Sequence, residues 1–374
     1  RRERVPVHQN LLFDTPEAAV AARRGDLDLV LCEACGLIFN RAFDPSLLDY
    51  GDHYKNPQAD SPTYALYMSH LVSHLVDRRG IWNKSILEIG CGDGSFLRRL
   101  VEQGYGNVGL GFDPSYTGPT RDLDGRVRFE VRRYGAAEVR GEYDWVICRH
   151  VIEHLDDPLY LLRLIGSTLY ARHQGRVFLE TPTVKWILRH RVFWDFFYEH
   201  RSYFSWPSLR VACEIAGMNV PNVTTEFGGQ YLWLEATTDF HGLPVSLAPG
   251  DLPDLACAFA GDEPRLLENL RAKVTELASR GGVAIWGAAA KGVTLANLLD
   301  PDRSLISCIV DINSQKQFRF LPGTGHPIVA PERLGELGIT SAILTNPMYR
   351  GEIAGLLASQ GNDIALIDPM EVGE

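Results

Sequence analysis

Residues 86–97 read Ile-Leu-Glu-Ile-Gly-Cys-Gly-Asp-Gly-Ser-Phe-Leu, an apolar strand that runs into a tight glycine turn and straight on into a helix. Asp113 follows the next apolar stretch, Asn107 to Phe112. The order strand, glycine turn, helix, strand, acid constrains the fold more than any other feature of the chain. It calls for a Rossmann-like crevice, in which backbone amides approach a cofactor while a carboxylate takes a ribose hydroxyl pair. A dinucleotide site needs its middle glycine so that a pyrophosphate can reach the helix N-terminus. The turn here has the form E-x-G-x-G-x-G, with Glu88 inside the strand and Gly90, Cys91, Gly92 and Gly94 in the turn.

A chain of 374 residues, 45% of them apolar, can bury more than one core, so two or three domains are expected. The net charge of −10 leaves no broad basic field, which argues against a nucleic-acid partner or an anionic membrane surface and for a small-molecule substrate. No apolar run approaches the ~20 residues of a membrane span, and no signal segment opens the chain, so a cytoplasmic protein is expected. Seven scattered cysteines do not suggest a disulfide framework. The first residue is Arg1, and further residues upstream of it are expected.

Residues 1–78 are mixed and loop-rich, with a helix expected from Tyr64 to Val76 where apolar positions recur at helical spacing. The pair Cys32-Glu33-Ala34-Cys35 followed by Gly36 turns two thiolates toward one point, as half of a zinc knuckle does; two packed cysteines flanking a turn would read the same way. Residues 79–240 alternate strands (Ser85–Ile89, Asn107–Phe112, Arg126–Arg132, Trp145–Arg149, Arg176–Thr181, Tyr231–Ala236) with helical stretches, which implies a mostly parallel sheet covered on both faces. Ligands of such a sheet sit at its carboxyl edge. A Pro/Gly-rich linker from His241 to Pro253 precedes a second, smaller α/β unit over 254–374. Its expected strands are Gly282–Trp286, Ile306–Asp311, Ala342–Thr345 and Asp363–Ile367, with helices over Pro264–Ser279 and Lys291–Leu299.

Three segments carry candidate chemistry. Arg149-His150-Val151-Ile152-Glu153-His154 follows the fourth strand, at the edge where cofactor and acceptor would meet. Val151 stands where a zincin needs Glu, so His150 reads as a cofactor contact and His154 as a substrate contact, against histidines bonded only within their loop. Tyr198-Glu199-His200 sits in an aromatic segment. Imidazole has the side-chain pKa nearest neutrality, so His200 is the default proton acceptor, and Glu199 could hold or polarise it. In the second α/β unit, Trp286-Gly287-Ala288-Ala289-Ala290-Lys291-Gly292 repeats the strand, glycine, helix theme with Asp311 ending the following strand. Ala289 replaces the middle glycine, which argues against NAD, while Lys291 could meet a substrate phosphate or simply face solvent.

The E-x-G-x-G-x-G turn resembles motif I of the class I S-adenosylmethionine-dependent methyltransferases. Nearly the whole chain resembles the three-part sugar C-methyltransferases that alkylate nucleotide-linked keto-deoxysugars. The resemblance rests on Cys32 to Leu37, the motif I turn, His154, Tyr198-Glu199-His200 with Ser202 to Ser205, Gly287 to Thr294, Val310-Asp311 and Leu321-Pro322-Gly323. It implies an N-terminal zinc-type lobe, a methyltransferase domain and a C-terminal Rossmann-like domain. It also implies S-adenosylmethionine held by Glu88, Gly90, Cys91, Gly92, Gly94, Asp113, Pro114 and His150, and zinc held in part by Cys32 and Cys35. The other cysteine pair of such a lobe either lies upstream of Arg1 or the ion is absent. His200 would remove the proton α to a ketone and Glu199 would orient it. Tyr198 and His154 would hydrogen-bond the sugar's carbonyl or enolate oxygen, with Tyr54 as a further contact. Trp194-Asp195-Phe196-Phe197 and Asn346-Pro347-Met348-Tyr349 depart from the family's pattern, which leaves a different acceptor, and O- or N-methylation, open. An NAD-dependent oxidoreductase is the reading from another class.

Overall fold

The computed structural model describes residues 1–48, 61–139, 142–170, 175–239 and 247–372. The central sheet has eight strands in the order Asn219–Glu226, Tyr231–Thr237, Arg176–Pro182, Trp145–Arg149, Ser85–Ile89, Val108–Phe112, Val127–Glu130 and Arg121–Asp122. The five strands from Arg176–Pro182 to Val127–Glu130 run parallel. Ile86, Leu87, Val146, Ile147, Val177 and Phe178 are fully buried, as expected for strands covered by helices on both faces. An antiparallel hairpin, Asn219–Glu226 with Tyr231–Thr237, closes one edge. Its first strand is absent from the sequence reading because five of its eight residues are polar and several face solvent.

The second sheet is wholly parallel, in the order Ile328–Val329, Cys308–Val310, Gly282–Trp286, Ile339–Leu344, Ala365–Ile367. The helix expected over Pro264–Ser279 is instead one long helix, Leu252–Ala278, with Pro264 inside it. A proline more often marks a first turn, but the apolar face Phe259, Leu266, Leu270 and Val274 is buried without a break across it. The expected linker from His241 to Pro253 lies partly outside the described residues, and its end is already helical. The expected helix from Tyr64 to Val76 is Pro62–Ser73, capped by the Ser61 hydroxyl, followed by a wider turn over His74–Arg78.

The N-terminal residues do not form an isolated lobe. Ile38–Asn40 pairs with Leu29–Leu31 on one side and with Ser202–Tyr203 on the other. The segment around it, Val184 to Tyr203, buries Ile187, Phe193, Trp194 and Phe196 in the same core as the long helix and the second sheet. Arg2 adds an ion pair to Glu263 (2.7 Å), and Arg24 donates to the Gly323 carbonyl (2.8 Å). The stretch carrying Tyr198-Glu199-His200 is therefore clamped between the N-terminal residues, the central sheet and the C-terminal unit.

Candidate active site

The glycine turn leaves the first parallel strand with Gly90, Gly92 and Gly94 all at positive φ. Two of them matter differently. A Cβ on Gly94 would run into the Phe129 ring, so this glycine serves packing. A Cβ on Gly92 would meet nothing within 4 Å, so the backbone there borders open space in which a cofactor can lie against it. Asp113 stands at the end of the next strand. Its Oδ2 accepts the Gly92 N–H (2.9 Å) and its Oδ1 accepts from the Ser115 N–H and hydroxyl (2.8 and 2.6 Å). The glycine turn, the empty cradle and the carboxylate thus fit a nucleoside-bearing cofactor. Glu88 is buried one strand layer below. Burial pushes its carboxyl up to about 8, and its Oε2 has no hydrogen-bond partner among the described residues.

Beyond the strand ends lies a cavity of about 280 Å³ between the central sheet and the C-terminal unit. His150, Glu153, His154, Glu199 and His200 line one wall and Lys291 and Asn346 the other. The three expected histidines are therefore brought together. His150 ends its strand at φ 52, rare for a residue with a Cβ. Its Nε2 lies 2.7 Å from Glu180 Oε1, and Arg149 Nε donates to the other oxygen of the same carboxylate (3.1 Å). Burial alone would lower the His150 pKa and raise that of Glu180. The opposite charges outweigh it, lifting His150 to about 9 and holding Glu180 at about 2. His150 is thus an imidazolium at neutral pH.

His154 Nδ1 lies 3.0 Å from the Glu199 carbonyl oxygen. A carbonyl only accepts, so Nδ1 carries a proton and Nε2 is the ring nitrogen left to accept. The His200 ring packs against Phe197 (4.1 Å between centroids) and edge-on to His154 (4.7 Å). Burial, with the His154, His150 and Lys291 charges behind it, pushes its pKa well below the usual imidazole value. It is a neutral acceptor.

Tyr198 and Glu199 each meet a residue from the N-terminal part of the chain. Tyr198 does not line the cavity. It is fully buried, and its hydroxyl accepts the Asp44 N–H (2.8 Å) and faces the Asp44 carbonyl, because the ring stacks on Phe43. Glu199 lines the cavity, and its Oε1 meets His8 Nδ1 (3.3 Å). Tyr54 lies outside the described residues. Cys32 and Cys35 are partly buried. N–H groups of Cys35 and Ala34 face the Cys32 sulfur and lower its pKa, whereas burial raises that of Cys35. Among the described residues no third ligand joins the pair, so a four-ligand zinc site is not complete there. Asp311, at the second glycine turn, accepts the Ala288 and Asn313 N–H groups (2.8 and 2.9 Å). Lys291 pairs with Asp195 (2.9 Å) and donates to Gln230 (3.1 Å), which exchanges two hydrogen bonds with Asn346. The sequence reading missed Arg149 and Glu180 as a pair, His8, and the Gln230 bridge. Only the charged ends of two apolar strands could have signalled the first; nothing local signals the others.

The methyltransferase-domain family matches residues 64–222, and the C-methyltransferase C-terminal domain matches residues 255–357. The C-methyltransferase NovU of Streptomyces niveus is 28% identical over 88% of this chain and 81% of its own length. The chain is an S-adenosylmethionine-dependent methyltransferase whose C-terminal unit matches that of C-methyltransferases. A ubiquinone biosynthesis O-methyltransferase of Escherichia coli O157:H7 is also 28% identical, but only over 29% of this chain and 48% of its own length. Among solved structures, magnesium protoporphyrin IX methyltransferase of Synechocystis, bound to S-adenosylhomocysteine, aligns with 47% of this chain and 83% of its own at 18% identity and a TM-score of 0.36. In this methyltransferase the two matched domains enclose the cavity that His150, His154 and His200 line. No described helix is long and apolar enough to cross a membrane.

Proposed function

We propose that this methyltransferase alkylates carbon next to a ketone, on a nucleotide-linked deoxysugar. The observation that carries the reading is His200: a buried, neutral imidazole in the cavity that the glycine-turn domain and the C-methyltransferase C-terminal domain share. An oxygen nucleophile such as an acidic hydroxyl has little need of such a base, whereas a C–H bond α to a ketone has no nucleophilic pair until a base removes the proton. The likeness to NovU over most of both chains supports carbon as the acceptor.

Gly90, Cys91, Gly92, Gly94, Asp113 and Pro114 would hold S-adenosylmethionine, which when bound supplies an electrophilic methyl group on a sulfonium. The residues of the chain do the rest. His200 takes the α-proton. His154, its Nδ1–H committed to the Glu199 carbonyl, offers Nε2 to a sugar hydroxyl. Positive charge for the developing enolate oxygen stands at the cavity walls on His150 and Lys291. Tyr198, held on the Asp44 backbone, positions the segment and does not touch the acceptor.

The test is deuterium exchange at the acceptor's α-carbon, followed with a nucleotide-linked 4-ketosugar and S-adenosylhomocysteine in place of the methyl donor. Wild type should exchange, and His200→Ala should slow both exchange and turnover by the ~10²–10⁴-fold of a lost general base while still binding cofactor. Exchange at the wild-type rate in His200→Ala would move the base elsewhere, with His154 next to test.

A further inference from the structure

We propose that Glu153, His154 and His200 form a binding site for one divalent cation, whose occupancy takes the His200 ring out of proton transfer. The cation site stands on geometry alone; the blocking role rests on His200 as the base.

The three side chains offer ligand atoms that all lie within 4.8 Å of one another. A tetrahedral ion with bonds of ~2.1 Å holds its ligands ~3.4 Å apart, so the widest pair must close by at most about 1.4 Å. Local structure aims them together. The short turn Ile152–His154 drives Ile152 into the core and leaves Glu153 and His154 on the cavity side, while the chain at His200 approaches from the opposite element.

Glu153 gives the independent observation. It is 1% exposed, yet only its Oε2 is hydrogen-bonded, accepting from the Thr181 hydroxyl at 3.0 Å. Its Oε1 is buried without a hydrogen-bond partner among the described residues, although His150 Nδ1 stands 3.5 Å away. That ion pair is too long for a hydrogen bond, so the buried oxygen stays under-satisfied, and a cation at this point would give it a short contact.

The surroundings suit that ligand set. The Glu199 carbonyl accepts the His154 Nδ1 proton and leaves Nε2 as the ligating nitrogen, the outer contact that ligating histidines usually have. Thr181 holds the carboxylate in the same way. Four carboxylates, Glu153, Glu180, Glu199 and Asp195, stand here against three cations, Arg149, His150 and Lys291. Two imidazoles and one carboxylate favour a borderline ion such as Zn²⁺, Co²⁺ or Ni²⁺ over Mg²⁺ or Ca²⁺, and leave open positions on the cavity side. With the ion in place the His200 lone pair is spent on the metal and no longer available to the α-proton.

The experiment titrates Co²⁺ into the full chain carrying Cys32→Ser and Cys35→Ser, so that no thiolate pair competes, with neither methyl donor nor acceptor present. Calorimetry should show one Co²⁺ per chain, and the visible spectrum should show nitrogen and oxygen ligation without thiolate charge transfer. Glu153→Gln and His200→Asn should each weaken binding at least tenfold. Thr181→Val, which removes only the hydroxyl, should weaken it by a factor of ~10 and serves as the check should either ligand variant unfold. In the methyl-transfer assay Co²⁺ should slow wild-type turnover over the same concentration range, and EDTA should restore it. No binding to the cysteine-free chain, or binding indifferent to both Glu153→Gln and Thr181→Val, would overturn the site. Turnover that rises with Co²⁺ would overturn the blocking role. Absence of methyl transfer to any ketosugar would count against the proposed reaction instead, since the titration reads the cation directly.

Discussion

Glu180→Gln isolates the strongest electrostatic feature of the structure. The Glu180 side chain is fully buried at the carboxyl end of its strand, with Arg149 on one oxygen at 3.1 Å and His150 on the other at 2.7 Å. Arg149 is itself only 9% exposed, lies over the Phe96 ring and forms no ion pair with another carboxylate among the described residues. Removing one partner of such a buried pair leaves an uncompensated charge and costs about 3–5 kcal/mol. The pKa shifts give a similar figure: depression of Glu180 from 4.5 to about 2 corresponds to about 3 kcal/mol at neutral pH. The elevation of His150 from 6.5 to about 9 is the same attraction seen from its other end and is not added. The signs fix the pH window. The Glu180 contribution is fully present above pH 4.5 and is lost as pH falls toward 2. The His150 contribution is fully present below 6.5 and is lost as pH rises through 9. The difference in urea stability between wild type and Glu180→Gln, followed across pH 3–10, should be flat at about 3–5 kcal/mol between about pH 5 and 6.5 and shrink on both flanks; taking the difference cancels titrations common to the two proteins, such as that of Glu88. A difference below about 1 kcal/mol at every pH would place the pair's energetics elsewhere and refute the reasoning.

Gly92→Ala should cost folding about 1–2 kcal/mol, the strain of a Cβ at φ 56, yet weaken S-adenosylhomocysteine binding by more than that in calorimetry, whereas Gly94→Ala should chiefly lower the melting temperature because its Cβ meets Phe129. Glu88→Gln should be the more stable protein as pH rises. The folded wild type keeps its carboxyl protonated up to about 8 while the unfolded chain releases the proton near 4.5, so wild-type stability falls across that window and the variant's does not in urea titrations. Tyr198→Phe should lose about 1 kcal/mol with the Asp44 hydrogen bond and leave kcat within a few-fold of wild type; a loss of a hundredfold or more would return Tyr198 to the reacting atoms.

The parallel core was legible because most of its strands are short apolar runs that end in a glycine or a polar residue, a pattern imposed by burial on both faces, while Val127–Glu130 alternates with one wet face. Arg126–Arg132 shrank to Val127–Glu130 because its outer residues lie past the hydrogen-bonded ladder. Asn219–Glu226 was not legible, since an edge strand with one wet face carries no continuous apolar signal. The motif residues were readable as types, and His150, His154 and His200 do share one cavity. Their partners were not readable. His8 reaches Glu199 across 191 positions, and Asp44 takes the Tyr198 hydroxyl across 154. Such pairings are decided by how the N-terminal residues wrap the 184–204 segment, a tertiary event without a local sequence cost or reward. The neutral state of His200 and the charged state of His150 likewise come from burial and from Glu180, thirty residues along the chain from His150.

The most direct measurement incubates the full chain with S-adenosylmethionine and a panel of nucleotide-linked 4-ketosugars, then examines the products by mass spectrometry and carbon NMR. Methyl transfer to carbon predicts one sugar gaining the mass of a methylene, with the new methyl attached to the carbon next to the ketone. A methyl group found on oxygen or nitrogen, or no transfer to any ketosugar by protein that binds S-adenosylhomocysteine, would contradict it.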